Sequence, residues 1–300
     1  MNLSVNAVVG SKIRFFMLAL TVGIFLFQKE ELAIKNLLTI AGSDCSGGAG
    51  IQADLKTFAA HGAFGMSVIV SVVAENTSRV ISIQDIPPRI VADQIDAVFE
   101  DIAVDGVKIG MLSGAEQMKT VAERLRFYRP GGVVLDPVMV AKGGRALMHP
   151  DALETLKAEM LPQAFLLTPN IPEAEAITGM EIRAVRDMEK AAAVLRSMGP
   201  RYVLVKGGHL EGDAVDILFD GEEIRPFRTE RIPTKNTHGT GCTLSSAIAA
   251  NLANGMGVPE AVGAAKEYVT TAIRHALPIG KGHGPTNHFY NLYKNGGLLL

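Results

Sequence analysis

From residue 36 onward, short apolar runs alternate with stretches whose apolar residues recur at helical spacing. Runs of strand length fall at 37–41, 68–74, 80–85, 106–109, 133–136, 164–168 and 202–206. Between them the spacing predicts helices over 51–61, 88–102, 115–128, 151–160, 172–178 and 186–198. In the second of these, Pro88 stands near the start and Ile90, Val91, Ile95, Val98 and Phe99 recur at helical spacing. A hairpin is predicted across 214–229, turning at Asp220-Gly221, and two helices over 242–254 and 259–276 close the fold. Strands that are apolar on both faces and alternate with helices predict an α/β architecture: a mostly parallel central sheet with helices on both faces. One domain is expected over 36–300, with no linker, repeat or low-complexity segment.

Ligands of such sheets sit beyond the carboxyl ends of the strands. Gly42-Ser43-Asp44, Glu75-Asn76-Thr77, Gly110-Met111-Leu112, Asp136-Pro137-Val138, Thr168-Pro169-Asn170 and Lys206-Gly207-Gly208 each follow a predicted strand. A single site at that edge is therefore expected.

The charge is balanced, with 29 basic and 31 acidic residues, so nothing argues for a nucleic-acid partner. Two cysteines in dissimilar contexts, Cys45 and Cys242, make neither a disulfide framework nor a zinc set. A reducing, cytoplasmic setting is expected. Residues 1–35 read differently. Lys12 and Arg14 precede a 13-residue apolar run at 15–27. A spanning helix needs about 20 apolar residues, and no signal-peptidase-like site follows. The segment is expected to be a dispensable extension outside the fold rather than a membrane anchor.

Four motifs could carry chemistry. In Asn236-Thr237-His238-Gly239-Thr240-Gly241-Cys242-Thr243, two glycines let the backbone turn tightly just before a small-residue helix. Successive N–H groups and the positive end of the helix dipole then suit an anion such as a transferring phosphoryl group. Cys242 would sit within it, its thiol lowered in pKa by the helix terminus. The loop 42–50 is rich in glycine, but Gly48-Ala49 stand where a Walker A motif needs Lys and Ser or Thr. Asp54, a turn into the next helix, suits either a substrate hydroxyl or amine, or the helix dipole. Asn170-Ile171-Pro172-Glu173 is either a helix cap or, with Asp136, part of an oxygen ligand set for Mg²⁺. Lys206-Gly207-Gly208 suggests close approach of a nucleotide phosphate, and Lys142-Gly143-Gly144 a cover over the phosphates.

In their order along the chain these motifs resemble the ribokinase-like superfamily. Ala41-Gly42-Ser43-Asp44 with the 46–57 segment, Lys108-Ile109-Gly110-Met111-Leu112 and Lys206-Gly207-Gly208-His209 fit more closely still. So do the 235–243 segment and Gly282-His283-Gly284-Pro285-Thr286-Asn287-His288. They are similar to the hydroxymethylpyrimidine/phosphomethylpyrimidine kinases of thiamine biosynthesis, over about 36–293. The resemblance implies a ribokinase-like three-layer fold and a homodimer. It also implies phosphorylation by ATP and Mg²⁺ of 4-amino-5-hydroxymethyl-2-methylpyrimidine, then of its monophosphate. It places Cys242 at the attacking oxygen and makes Gly239, Thr240 and Gly241 the anion hole. Gly42, Asp54, Glu75, Met111 and the Val138 backbone would line the pyrimidine pocket. Asn170, Lys206 and Thr237 would serve the nucleotide, with Glu173 and Asp136 at the metal. One position departs from the pattern: Glu75 stands where many members have Gln. An ionised Glu only accepts hydrogen bonds, so it must be protonated, meet a protonated ring, or bind the exocyclic amine alone. Pyridoxal kinase of the same fold, and a non-catalytic ligand-binding relative, are the alternatives.

Overall fold

The computed structural model describes residues 34–141, 143–210 and 212–297. The apolar run at 15–27, and Lys142 of the expected phosphate cover, lie outside the described residues. In chain order the strands are β1 (Asn36–Ala41), β2 (Phe64–Ile69), β3 (Ser71–Glu75), β4 (Val80–Asp85), β5 (Gly106–Ile109), β6 (Val133–Leu135), β7 (Leu166–Leu167), β8 (Tyr202–Val205), β9 (Ala214–Phe219) and β10 (Ile224–Thr229). The helices are α1 (Gly50–Ala60), α2 (Pro88–Phe99), α3 (Ala115–Tyr128), α4 (Ile171–Thr178), α5 (Val185–Ser197), α6 (Thr240–Ala253), α7 (Val258–Arg274) and α8 (Tyr290–Asn295).

Eight strands form one sheet in the order β10-β9-β8-β7-β6-β5-β1-β2. Its strands are parallel from β2 across to β8, and the β9–β10 hairpin closes one edge antiparallel. Strand alternation sorts the side chains into two cores. Leu38, Ile40, Val107, Ile109, Leu135, Val203 and Val205 pack with α2, α3, α4 and α5 on one face. Leu37, Val134, Leu166, Leu204 and Leu218 pack with α1, α6 and α7 on the other. The result is the expected three-layer α/β/α fold. Among the described residues no helix is long and apolar enough to cross a membrane.

Two expected elements differ, and one helix was not expected. The run 68–74 is two strands, not one. Pairing with β1 ends at Ala41↔Ile69, and β3 then leaves the main sheet to pair with β4 in a separate antiparallel flap. Its base is pinned where Ser71 Oγ and Ser113 Oγ each donate 2.7 Å bonds to Asp85. The expected helix over 151–160 is a chain of short turns instead: 3₁₀ at Pro150–Ala152, α at Leu153–Thr155, π at Leu156–Met160 and 3₁₀ at Leu161–Gln163. Pro150 and Pro162, which lack N–H donors, bracket it. Helix α8 carried no signal that the periodicity registered.

Candidate active site

The loop 42–49 leaves β1 and folds around one side chain. Buried Asp44 accepts from the N–H groups of Ser46 (2.7 Å), Gly48 (2.9 Å) and Ala49 (2.7 Å). It also pairs with His238 Nε2 at 2.8 Å. Burial alone would raise this carboxyl, but the His238 and loop hydrogen bonds hold it well below the usual carboxylate range. His238 directly precedes the Gly-Thr-Gly turn, so the pair ties the first loop to the last one. Gly239 adopts φ +79° and lies against the Gly48 carbonyl, where any side chain would collide. His238 in turn bridges to Pro285: its N–H donates to the Gly284 carbonyl at 3.1 Å, and its carbonyl accepts from Thr286 N–H.

Helix α6 begins at Thr240 with no side chain capping it. Thr240 N–H donates to the Thr237 carbonyl at 3.4 Å, while among the described residues the next two N–H groups, of Gly241 and Cys242, have no backbone acceptor and are open to an anion. Thr237 braces the turn through its carbonyl, which accepts from Thr240 Oγ1 at 2.8 Å. A methyl group on Gly241 would stand 3.4 Å from both Lys206 Nζ and Asp136 Oδ2. Lys206 and Asp136 pair at 2.5 Å. Burial works against the Lys206 charge, yet Asp136 and Glu173 carry its pKa upward. Asn170 caps α4 reciprocally with Glu173: Glu173 N–H donates to Asn170 Oδ1 at 2.9 Å, and Asn170 N–H to Glu173 Oε2 at 2.8 Å. Burial pushes Glu173 up to about 7, Lys206 opposes this, and the Asp136 charge adds to it. Two carboxylates thus face one lysine beside an open helix terminus.

Across the site, the flap ends at half-buried Glu75. Its carboxylate lies within 4.8 Å of ligand atoms of Asp44 and His238. Burial and the Asp44 charge push Glu75 up to about 7, with His238 opposing. Val73 and Val80 of the flap pack with Met111 and Val138 into a small apolar wall. Met111 also reaches Gly42 of the first loop. A half-buried carboxyl and an apolar wall thus stand on the flap side of the site, with the uncapped start of α6 beyond His238.

A family model described as phosphomethylpyrimidine kinase matches residues 44–287. The chain belongs to this family. The thiamine biosynthesis bifunctional protein ThiED of Geobacter sulfurreducens is 55% identical over 254 residues. That alignment covers 84% of this chain and 52% of the relative, so the chain spans about half the length of ThiED. The hydroxymethylpyrimidine/phosphomethylpyrimidine kinase of Streptomyces coelicolor is 50% identical, covering 85% of this chain and 95% of that one. A crystal structure of Bacillus subtilis pyridoxal kinase bound to ADP superposes with a TM-score of 0.81 at 39% identity, covering 87% and 99% of the two chains. The chain is thus a kinase, a phosphotransferase of the same fold as the ADP-binding pyridoxal kinase.

Within this kinase, the edge of the sheet brings together Gly42, Glu75, Met111, Val138, Asp136, Asn170, Glu173, Lys206, Thr237, Gly239, Thr240, Gly241 and Cys242. Two expectations need correction. Asp54 does not face a substrate: it is 0% exposed and fully engaged. Lys108 Nζ donates to both its oxygens at 2.9 Å, Thr39 Oγ1 at 2.6 Å and Ser246 Oγ at 2.7 Å. Strand alternation is the reason. Thr39 and Lys108 are register partners on the face of the sheet that packs against α1 and α6, and a buried ammonium there requires a carboxylate. Nor is the Cys242 thiol lowered. Burial pushes it up to about 11, and Asp54 and Asp136 add to that, while Lys108 and the Gly50 N–H pull the other way. Cys242 is a thiol, not a thiolate, in the free protein at neutral pH. The sequence reading also missed the joint role of Asp44 and His238, and of Lys108. A lysine inside an otherwise apolar four-residue strand was the available signal for the last.

Proposed function

We propose that this kinase transfers the γ-phosphoryl group of ATP to the hydroxymethyl oxygen of 4-amino-5-hydroxymethyl-2-methylpyrimidine, and then phosphorylates the monophosphate to the diphosphate. The convergence of the uncapped α6 terminus with Lys206, opposite a flap that ends in Glu75, carries this reading. The α6 amides receive the phosphoryl oxygens, Lys206 and Asn170 face the nucleotide with Thr237 beside them, and Cys242 faces the attacking alcohol. Gly42, Met111 and the Val138 backbone surround the ring. Phosphoryl transfer asks for alignment and charge stabilisation more than for a strong base, which suits a thiol that is protonated at rest. Glu75, neutral below about pH 7, donates to the ring nitrogen and accepts from the exocyclic amine, as an amide would.

A Mg²⁺ ion fits the donor set of Asp136 and Glu173. Two oxygen ligands suffice for an ion that keeps several waters, and a cation there would favour the ionised form of Glu173, which burial and, after it, the Asp136 charge disfavour. When bound, the ion neutralises charge on the phosphates. The 39%-identical pyridoxal kinase fold and the carboxyl in place of an amide favour pyridoxine as the second candidate substrate. A coupled ATP assay with both alcohols side by side, with and without Mg²⁺, is the test. Turnover confined to the aminopyrimidine supports the first reading, and turnover confined to pyridoxine replaces it.

The partners of this enzyme are then small molecules and a second copy of itself, in the cytoplasm, with neither nucleic acid nor membrane involved. The outer side of the flap supports the homodimer, since Val72 and Ile81 are 50% and 56% exposed there. Residues 36–300 suffice for activity, which agrees with a family match confined to 44–287.

A further inference from the structure

Behind Lys206 lies a buried ion pair that the reaction itself does not use. Strand β9 is buried along its middle, and Asp216 interrupts its apolar run. Alternation puts Asp216 on the same side as Leu218, facing α6 and α7. There Lys266 of α7 meets it at 2.7 Å, with the two side chains 9% and 8% exposed. The other carboxylate oxygen does not face solvent. It accepts the N–H of Gly207 at 2.9 Å. Gly207 is pressed so closely on the Val215 carbonyl that any side chain would collide. The chain beyond is gathered by a single guanidinium: Arg231 donates to the carbonyls of Gly208 (2.8 Å), Gly212 (2.8 Å) and Leu210. On the other flank, Lys206 N–H donates to the Pro169 carbonyl at 2.8 Å.

A buried pair of this kind contributes little stability over a well-packed apolar pair of similar volume. Its geometric effect is specific, however. It fixes the one peptide that joins Lys206 to the loop that follows, whose described residues run from Gly207 to Leu210. We propose that Lys266 and Asp216 are positioning residues for the nucleotide: by holding the Gly207 N–H they set the direction in which Lys206 leaves β8 and the course of the loop beside the bound diphosphate. This rests on the assignment of Lys206 to the nucleotide made above. Arg231 completes the scaffold from the solvent side.

Three variants of the full chain separate this role from packing. Asp216→Leu with Lys266→Met replaces the pair by apolar side chains and removes the acceptor for Gly207. Asp216→Asn with Lys266→Met removes both charges but keeps an acceptor oxygen. Lys266→Gln alone leaves Asp216 on Gly207 without its cation. ADP binding to the free enzyme, measured by calorimetry with Mg²⁺, is expected to weaken about tenfold or more in the Leu/Met form, a loss of one or more factors of ten in Kd. The Asn/Met form is expected to bind within about threefold of the parent, and Lys266→Gln to fall between them. In kinetics, the KM for ATP should rise while the KM for the aminopyrimidine stays within about twofold, a split that general loss of packing would not produce. Parental ADP affinity in a folded Leu/Met form overturns the proposal. So does an equal loss in the Asn/Met form, and, should Leu/Met not fold, so does parental affinity in Lys266→Gln. Lys206→Met serves as the separate control. If it leaves ADP binding intact, the nucleotide assignment itself is wrong.

Discussion

On the proposed reading, the proton of Glu75 sets what the pocket recognises. The carboxyl is carried up to about 7, first by burial and then by Asp44. Below that pH it can donate to a ring nitrogen, and above it can only accept. The KM for the aminopyrimidine is therefore expected to climb as pH rises through about 7, and Glu75→Gln is expected to retain turnover with a flat profile. Loss of activity at every pH in that variant would refute the donor role. Cys242 sets a second test. The first transfer has a neutral alcohol as nucleophile, the second an already ionised phosphate oxygen. Only the thiolate fraction of Cys242, small at neutral pH, can take the alcohol's proton, so the first transfer should quicken as pH rises, and Cys242→Ala should slow it by about 10²-fold or more and the second far less. Rates measured from each substrate separately decide this, and equal losses would reduce Cys242 to shaping the anion loop. The charges around the sulfur make a third. Lys108 pulls its pKa down and Asp54 pushes it up, so Lys108→Met should slow Cys242 alkylation at pH 9 and Asp54→Asn should speed it. Peptide mass mapping distinguishes Cys242 from exposed Cys45. Shifts in the same direction would mean that the pair acts only through packing.

Helix α4 shows how an element can hold both a structural and a chemical demand on one residue. Glu173 completes the cap with Asn170 while burial and Asp136 hold its proton up to about 7, against an ordinary value of 4.5. A carboxyl raised in the folded state binds its proton more tightly there than in the unfolded chain. Stability therefore declines as pH climbs from about 4.5 to about 7 and stays lower above. Glu173→Gln keeps an oxygen for the Asn170 N–H and removes that penalty. The free enzyme should melt higher at pH 8, with about 1 kcal/mol appearing as roughly 2–4 °C in a domain of this size, and Mg²⁺-dependent turnover should fall by at least about tenfold. An unchanged melting temperature together with unchanged turnover would remove Glu173 from both roles. The Asn-x-x-Glu spacing made this cap legible in the sequence, and it allowed both the cap and the ligand reading. Helix α3 was legible to the residue for a similar reason: a clear 3.6 period runs from Ala115 to Tyr128. The break at Val70 was not legible, because β-branched residues continue across it and the two-residue period does not register a change of sheet. Asp54 was misread because the partner that claims it, Lys108, is 54 residues away and meets it only through the pairing of β1 with β5.

At the scale of the whole molecule, the order of the motifs was readable, since each polar cluster follows a strand and parallel strands deliver all their ends to one edge. What could not be read is which clusters touch, since that depends on the strand order β7-β6-β5-β1-β2 and on the flap. The exposed Val72 and Ile81 lie outside the main sheet, so Val72→Asp with Ile81→Asp should give a folded monomer by light scattering; a dimer that persists would place the interface elsewhere. Removing residues 1–35 should leave the specific activity unchanged, and its loss would make the extension part of the enzyme. The anion turn depends on a late segment of the chain. His238 reaches Asp44 while its own backbone is held by Gly284 and Thr286, and Thr77 of the flap accepts from Gly282 and His283. A chain cut at residue 280 would hold every strand of the sheet, yet the turn before α6 would lose its backbone partners Gly284 and Thr286, and the flap its latch on Gly282 and His283.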